Sequence, residues 1–246
     1  MGINNFRQFY TVESSVYHRK RYQTLYGKLF EKLHHQVLTD ILNKRFACDL
    51  VLEVACGTGH VSELLAAQGI DFIACDLTSA MMEQARQRIK EFTGKIKFIQ
   101  ADAIQLPFID NSFNFIISTR FMHLFPLVDQ RIIIKEMLRI LKPSGYLVLD
   151  FDNWTSRWLL AIPYFLYNLI RYKRVAPFSH YNRVGETIRM IQQEGLIIEE
   201  VLGVGGTHLL FPALISFNWA VKIGKVHQHL PLRLMAEQFV ITGFKK

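Results

Sequence analysis

Glu53-Val54-Ala55-Cys56-Gly57-Thr58-Gly59 is the most informative stretch of the chain, because it joins two segments of different periodicity. The apolar run 50–54 predicts a buried strand, and Val61, Leu64 and Leu65 share one face of a predicted helix. Glycines in such a turn let the backbone bend sharply and approach a ligand without obstruction by a Cβ atom. The stretch therefore predicts a strand–turn–helix unit that binds a ligand at the carboxyl end of the strand.

The same alternation of strand and helix recurs along the rest of the chain. Apolar residues at helical spacing predict helices over 25–41, 82–89, 132–141 and 184–191. Short apolar runs predict further strands at 71–75, 96–100, 113–118, 146–151, 196–204 and 238–244. Because strands that alternate with helices form parallel sheets covered on both faces, we predict an α/β fold with a mostly parallel, seven-stranded sheet.

Length and composition fit one well-filled domain, since the chain has 246 residues and 50% of them are hydrophobic. We expect a ligand-binding core at 45–152, a helical cap insertion that contacts the substrate at 153–195, and the final strands at 196–246. The three cysteines have no metal-ligand or redox spacing. No apolar run reaches the roughly 18 residues that a membrane-spanning helix needs. These features predict a cytoplasmic protein.

The basic balance of the chain is a weaker guide to its partners. Twenty-nine Lys and Arg residues against 21 Asp and Glu give a formal net charge of +8. Such a charge fits nucleic acid, an anionic membrane surface, or solubility alone. The basic residues are scattered, with modest clusters at 18–21 and 171–174 and no long basic arm, so we do not expect nucleic acid to be the partner.

Two acidic residues follow predicted strands near the glycine turn. Asp76 comes after the second strand, where its carboxylate can accept both hydrogen bonds of a ribose diol. The structural alternative for Asp76 is to cap the helix that follows. Asp102 closes the third strand in the segment Gln100-Ala101-Asp102-Ala103. The position of Asp76 favours a ligand that carries a ribose.

Together these motifs resemble those of the class I S-adenosylmethionine-dependent methyltransferases, especially the small-molecule group that includes the quinone-biosynthesis methyltransferases. The resemblance covers residues 45–152, including the turn Leu141-Lys142-Pro143-Ser144-Gly145. It implies a Rossmann-like fold, S-adenosyl-L-methionine as cofactor and a small-molecule substrate. In that family successive motifs hold the methionine part, the ribose and the adenine of the cofactor; here this implies, in that order, Glu53, Ala55, Gly57 and Gly59, then Asp76 and Leu77, then Asp102 and Ala103.

Two more residues are candidate cofactor contacts. Thr119 lies just after the fourth strand, and Arg21 is placed to bind the carboxylate of the cofactor. For Arg21, as for nearby Arg19, solvation at the surface is the structural alternative.

The chain departs from the family pattern at two positions. Ala55 stands where many members have glycine, a change that is tolerated if its φ angle is negative, and Asn114 replaces a common aspartate. The alternative cofactor is a dinucleotide, whose Gly-x-Gly-x-x-Gly loop would need glycine at position 62 for close helix–strand packing. Position 62 is Ser62, and with Asp102 present this argues against NAD.

The candidate catalytic residue is His123, which follows the fourth strand. It is placed to act as a general base, and the alternative is an imidazole that only packs over the cofactor. His180 and Tyr181 follow the cap and either line the substrate pocket or belong to a polar loop. No clustered His and carboxylate spacing indicates a metal.

The segment 154–172 is rich in aromatic and apolar residues, which favours an apolar or aromatic substrate. Flanked by Arg157 and Arg171, it could also lie on a membrane surface; the alternative is a cap buried against the sheet. Two other functions stay open. An RNA methyltransferase is supported by net charge alone, and a non-catalytic cofactor-binding protein would keep the same fold.

Overall fold

The computed structural model describes residues 3–45, 50–92, 94–156, 180–226, 228–229 and 232–246. Seven strands form one sheet in the order β3-β2-β1-β4-β5-β7-β6. Their bounds are β1 Val51–Val54, β2 Phe72–Asp76, β3 Ile96–Gln100, β4 Phe113–Ser118, β5 Leu141–Asp152, β6 Leu196–Val204 and β7 Gln238–Lys245. β7 runs antiparallel to both its neighbours, and every other pairing is parallel. The predicted α/β fold with its mostly parallel sheet is confirmed.

The helices of the described chain cover both faces of this sheet. They are α1 Ile3–Tyr22, α2 Leu25–Arg45, α3 His60–Ala67, α4 Ser79–Ile89, α5 Leu127–Ile140, α6 Val184–Gln193, α7 Leu210–Ile215 and α8 Phe217–Val226. None of these helices is long and apolar enough to cross a membrane. Residues 157–179, which hold most of the predicted cap and of the proposed membrane segment 154–172, lie outside the described residues.

The sheet is buried because its central strands are apolar on both sides. All residues of β1 are buried, and alternate residues face two separate cores. Val51 faces the core that also contains the apolar side chains of α2, such as Leu29 and Leu33. Leu52 faces the core of α5, with Ile133 and Met137. Packing on both faces fixes the sheet in place. The carboxyl ends of its parallel strands lie at one edge, together with the glycine turn.

The structure differs from the sequence prediction at the start of β5 and in three additional helices. β5 begins at Leu141 rather than at residue 146, because it continues through the predicted turn with Ser144 in the left-handed region at a φ of 59°. Its pairing with β4 shifts register between Phe113 and Phe115. The helix α1 was not predicted, and neither were α7 and α8.

Candidate functional site

A cavity of about 580 Å³ opens at the carboxyl ends of β1, β2 and β4. Six of the ten predicted cofactor-binding residues line it, namely Ala55, Gly57, Asp76, Leu77, Asp102 and Ala103. The turn, the end of β2 and the segment after β3 therefore meet around one space, as the parallel sheet requires.

The turn after β1 is held in an unusual backbone conformation. Ala55 has a φ of 58° and Gly57 a φ of 54°, so both are left-handed. The condition under which alanine would be tolerated without strain, a negative φ at Ala55, is not met, because the chain bends at the residue directly after the strand. A left-handed alanine costs roughly 1 kcal/mol, which the buried strand and the following helix must offset. Both residues line the cavity, and neither has a side chain larger than a methyl group.

Gly59 has a different task from the residues that line the cavity. Its φ is 80°, and an added Cβ would lie 2.8 Å from Cα of Ala85 in α4. A methyl group does not fit at that distance, so Gly59 permits close packing of the start of α3 against α4. Gly59 is absent from the cavity wall in the described structure.

Asp76 fixes the turn to the end of β2. Its Oδ2 accepts a hydrogen bond from the backbone N–H of Gly57 at 2.9 Å, and its Oδ1 accepts one from the N–H of Thr78, also at 2.9 Å. Burial raises the pKa of Asp76, and these backbone donors oppose the rise. A carboxylate has about four lone-pair positions, so this side chain, which lines the cavity, keeps acceptor capacity for a ligand.

Glu53 lies outside the cavity wall, in the interior behind the turn. Its Oε2 accepts a 2.5 Å hydrogen bond from Oγ of Ser62, the first-turn residue of α3 that stands where a dinucleotide loop has its third glycine. Burial raises the pKa of Glu53 to about 8, against the opposing effect of that hydroxyl. Glu53 therefore connects β1 to α3, and its predicted contact with the methionine part stays a prediction.

The remaining predicted cofactor contacts lie near the cavity without lining it. Thr119 is half-buried after β4. Arg21, in the last turn of α1, places its guanidinium carbon 4.6 Å from the ring centre of Tyr17, and that ring lines the cavity. Arg21 is thus one side chain away from the space that it was predicted to reach.

The two histidines differ in their relation to the cavity. His123 is buried, does not line the cavity wall, and its backbone oxygen accepts a 2.6 Å hydrogen bond from the N–H of His180. Burial lowers the pKa of His123 to about 4, so its ring is neutral at pH 7. His180 itself lines the cavity, whereas Tyr181 does not. The geometry favours a packing role for His123.

Arg120 is a cavity residue that the sequence analysis did not single out. It adopts the left-handed region at a φ of 56°, and its N–H donates a 2.6 Å hydrogen bond to Oδ1 of Asp150. The guanidinium carbon lies 5.1 Å from the ring centre of Phe30 and 5.8 Å from that of Tyr22. Its buried Nε has no hydrogen-bond partner among the described residues. A cation in this position suits an anionic ligand group.

Asp150 supports that arrangement from β5. Its second oxygen, Oδ2, lies 3.2 Å from Nε2 of the buried His34 in α2. One carboxylate thus connects β5, the end of β4 and α2 beneath the cavity. The chain position of Asp150 within a buried apolar strand was the signal that could have revealed it, because buried acids are almost always paired.

Aromatic and aliphatic side chains form another part of the cavity lining. They come from α1, from the segment after β4 and from α5, and we call them the apolar wall: Tyr10, Tyr17, Phe121, Leu124, Phe125 and Ile132. The rings of Phe121 and Phe125 meet edge to face at 4.9 Å. Burial raises the pKa of the Tyr10 hydroxyl, so it stays protonated at neutral pH. Within the described chain, no group of three His, Cys, Asp or Glu side chains is arranged to hold a metal.

Comparison with known families gives one matching description for this core. A family model described as "Methyltransferase domain" matches residues 51–145. This range covers the glycine turn, Asp76 and Asp102, and it ends at the bend into the main part of β5.

Curated relatives extend the match beyond the core. A demethylmenaquinone methyltransferase of Paenarthrobacter aurescens is 42% identical over 99 residues, which is 40% of this chain and 37% of the relative, so the match spans less than half of that relative's length. The demethylmenaquinone methyltransferase of Renibacterium salmoninarum is 30% identical over 190 residues, or 72% of this chain and 76% of the relative.

A solved structure agrees over the whole length. It is a magnesium protoporphyrin IX methyltransferase from Synechocystis PCC 6803 with bound S-adenosylhomocysteine, and the TM-score is 0.71. The two chains share 14% sequence identity, and the match covers 100% of each. At that identity the similarity establishes the fold.

Proposed function

This chain belongs to the class I S-adenosylmethionine-dependent methyltransferases, and we propose that it transfers the methyl group of S-adenosyl-L-methionine to a small apolar ring compound. The observation that carries this proposal is the cavity itself. Its lining combines a polar side, made of the turn and the acids at the carboxyl ends of the strands, with the apolar wall.

The residues on the polar side fit the cofactor. Asp76 keeps acceptor capacity for the two hydroxyls of a ribose, and Ala55 and Gly57 expose backbone to the methionine part. The unpartnered Nε of Arg120 suits the carboxylate of that amino acid, with Arg21 as a second cation beyond Tyr17. Leu77 lies beside Asp76 for the ribose, and Asp102 and Ala103 are left for the adenine, as the resemblance implies.

The cofactor supplies a methyl group that is already activated on a sulfonium. The work of the protein is therefore to orient an acceptor in line with the departing sulfur and to keep water away. Phe121, Phe125 and Tyr17 suit both tasks, because aromatic rings exclude water and stack against a planar acceptor. We assign the uptake of a proton to His180, since it lines the cavity and His123 does not.

The relatives narrow the class of acceptor. The Renibacterium salmoninarum protein is named a demethylmenaquinone methyltransferase, and the apolar wall of this chain suits a ring of that kind. We therefore propose a reduced naphthoquinone that lacks a ring methyl group as the acceptor. The apolar wall contains no lysine or arginine side chain that could bind a phosphate backbone, so RNA is the less favoured acceptor.

The cysteines support a reducing compartment such as the cytoplasm. Cys56 and Cys75 are buried and free, and burial raises the pKa of both thiols. Such thiols behave as small apolar residues with little reactivity.

The test is transfer of labelled methyl from S-adenosyl-L-methionine into a cell extract that is then separated into lipid, small polar, RNA and protein fractions. We expect label in the lipid fraction, and also in purified demethylmenaquinone after chemical reduction. The Asp76→Ala variant should give no label. Label in RNA or protein would contradict the proposed acceptor, and a wild-type protein that binds S-adenosylhomocysteine but labels no fraction would contradict catalysis.

A further inference from the structure

The segment from Val201 to Ala236 contains no aspartate or glutamate, whereas it contains Lys222, Lys225 and Arg233. Two short helices, α7 and α8, occupy its middle. The segment itself therefore contributes only positive formal charge. Neither helix takes part in the cavity described above.

The inner face of α8 is fixed against α2. Ala220, Val221 and Gly224 are buried, and an added Cβ at Gly224 would lie 2.7 Å from both methyl carbons of Leu33. The helix backbone therefore touches a side chain of α2, which leaves little freedom to rotate. The opposite face of α8 must point away from the protein.

That outer face combines large apolar side chains with lysines. Trp219, Lys222 and Val226 are spaced by three and four residues, so they form one stripe along the helix. Trp219 is 49% exposed and Val226 66% exposed, and Lys225 adds a second exposed cation beside them. Just before α8, Leu214 and Ile215 are 69% and 64% exposed. We call this set of six residues the α7–α8 face.

We propose that the α7–α8 face binds the surface of an anionic lipid bilayer. Transfer of exposed leucine, isoleucine and valine side chains from water to the boundary between headgroups and acyl chains is favourable. Tryptophan favours the same depth because its ring is apolar and its N–H polar. The two lysines reach the lipid phosphates, and no acidic side chain on α7 or α8 repels them.

The positive charge of the α7–α8 face favours an anionic lipid surface over a second copy of the protein. A second copy of the same face would bring lysine against lysine, and like charges disfavour that pairing. The proposal goes beyond the proposed methyl transfer and does not depend on it. It also places the contact on a surface different from the segment 154–172.

The test is co-sedimentation of the full chain with vesicles of phosphatidylcholine, with and without phosphatidylglycerol. We expect binding only to the anionic vesicles, weakened by salt. Lys222→Gln with Lys225→Gln should weaken it about tenfold or more, given the usual contribution of lysines near a charged membrane. Trp219→Ser with Val226→Ser should weaken it comparably.

Matched controls come from exposed apolar residues elsewhere. Ile109→Ser with Val128→Ser removes similar side chains that are 82% and 72% exposed, and it should bind vesicles as the wild type does. Calorimetric titration with S-adenosylhomocysteine verifies that each variant is folded.

Three results would overturn the proposal. The first is a wild-type protein that binds neither kind of vesicle. The second is vesicle binding that Trp158→Ser abolishes and that the α7–α8 variants retain. The third is a wild-type protein that is a dimer in sedimentation equilibrium and that the α7–α8 variants convert to a monomer.

Discussion

The N–H of Gly57 and Oδ2 of Asp76 are joined by a 2.9 Å hydrogen bond, so the glycine turn after β1 is tied to the carboxylate at the end of β2. The same carboxylate faces the cavity. Asp76 thus both shapes the turn and offers acceptors to a ligand.

Replacing Asp76 with asparagine should weaken donor binding. An amide N–H₂ would face one of the two backbone N–H groups that now donate to the carboxylate, and hydrogen bonds to a charged group are lost. We expect the affinity for S-adenosylhomocysteine, measured by titration calorimetry, to fall about tenfold to a hundredfold. Asp71→Asn, at the opposite end of β2, is the control. Unchanged affinity in Asp76→Asn would remove Asp76 from the site.

Replacing Arg120 with glutamine should affect only ligands that carry a carboxylate. We expect affinity for S-adenosylhomocysteine to fall about tenfold or more, the usual effect of a lost charged hydrogen bond. Affinity for 5′-methylthioadenosine, which lacks the amino-acid part, should stay unchanged. Arg21→Gln, measured in the same way, compares the two cations. If Arg120→Gln weakens both ligands equally, the role of Arg120 is structural.

Glu53 should make the protein less stable as the pH rises. Its pKa is raised from 4.5 to about 8, so between those values the folded protein keeps a proton that the unfolded chain has released. The stability that this group contributes is complete below pH 4.5 and is lost toward pH 8. The loss amounts to a few kcal/mol, because each pH unit between the two pKa values corresponds to about 1.4 kcal/mol.

Urea unfolding of wild type and Glu53→Gln at several pH values tests this sign. The glutamine variant should lose less stability than the wild type between pH 5 and pH 8. Two parallel profiles would mean that Glu53 does not titrate in this range.

Substitution of His180 and substitution of His123 should have different effects on kcat. We expect His180→Ala to lower kcat by about a hundredfold or more if it acts as the base. His123→Gln should lower thermal stability, because the ring is buried, while kcat stays within about tenfold of the wild type. Initial rates of methyl transfer at saturating donor measure both. A folded His123→Gln protein with the larger loss would restore His123 as the base.

The sequence was sufficient for the strands because each one is a short apolar run between turn residues. It also located Asp76 and Asp102 at the cavity, since both follow parallel strands and ligands bind at the carboxyl ends of such strands. The conformation of Ala55 could not be predicted, because φ depends on how β1 and α3 are fixed in three dimensions. The local sequence also does not indicate that α1 places Tyr10 and Tyr17 in the lining of the cavity.

Arg120 illustrates the same limit at the level of chemistry. In the sequence it is one of 29 basic residues with nothing to distinguish it. Its importance comes from Phe30, Tyr22 and Asp150, which reach it from distant parts of the chain. Such convergence appears only when the tertiary structure is known.

The position of β7 has a consequence for folding on the ribosome. β7 lies between β5 and β6, although it follows both of them in the sequence. Until it emerges, β5 exposes one open edge and β6 has no partner at all in the described sheet. The nascent chain can therefore pair strands β1 through β5, which include those whose carboxyl ends line the cavity, at an early stage. β6 joins the sheet only when β7 is available to pair with it. If β7 joins the sheet slowly, the unpaired backbone groups of β5 and β6 stay exposed. This strand order therefore creates a risk of aggregation at that stage.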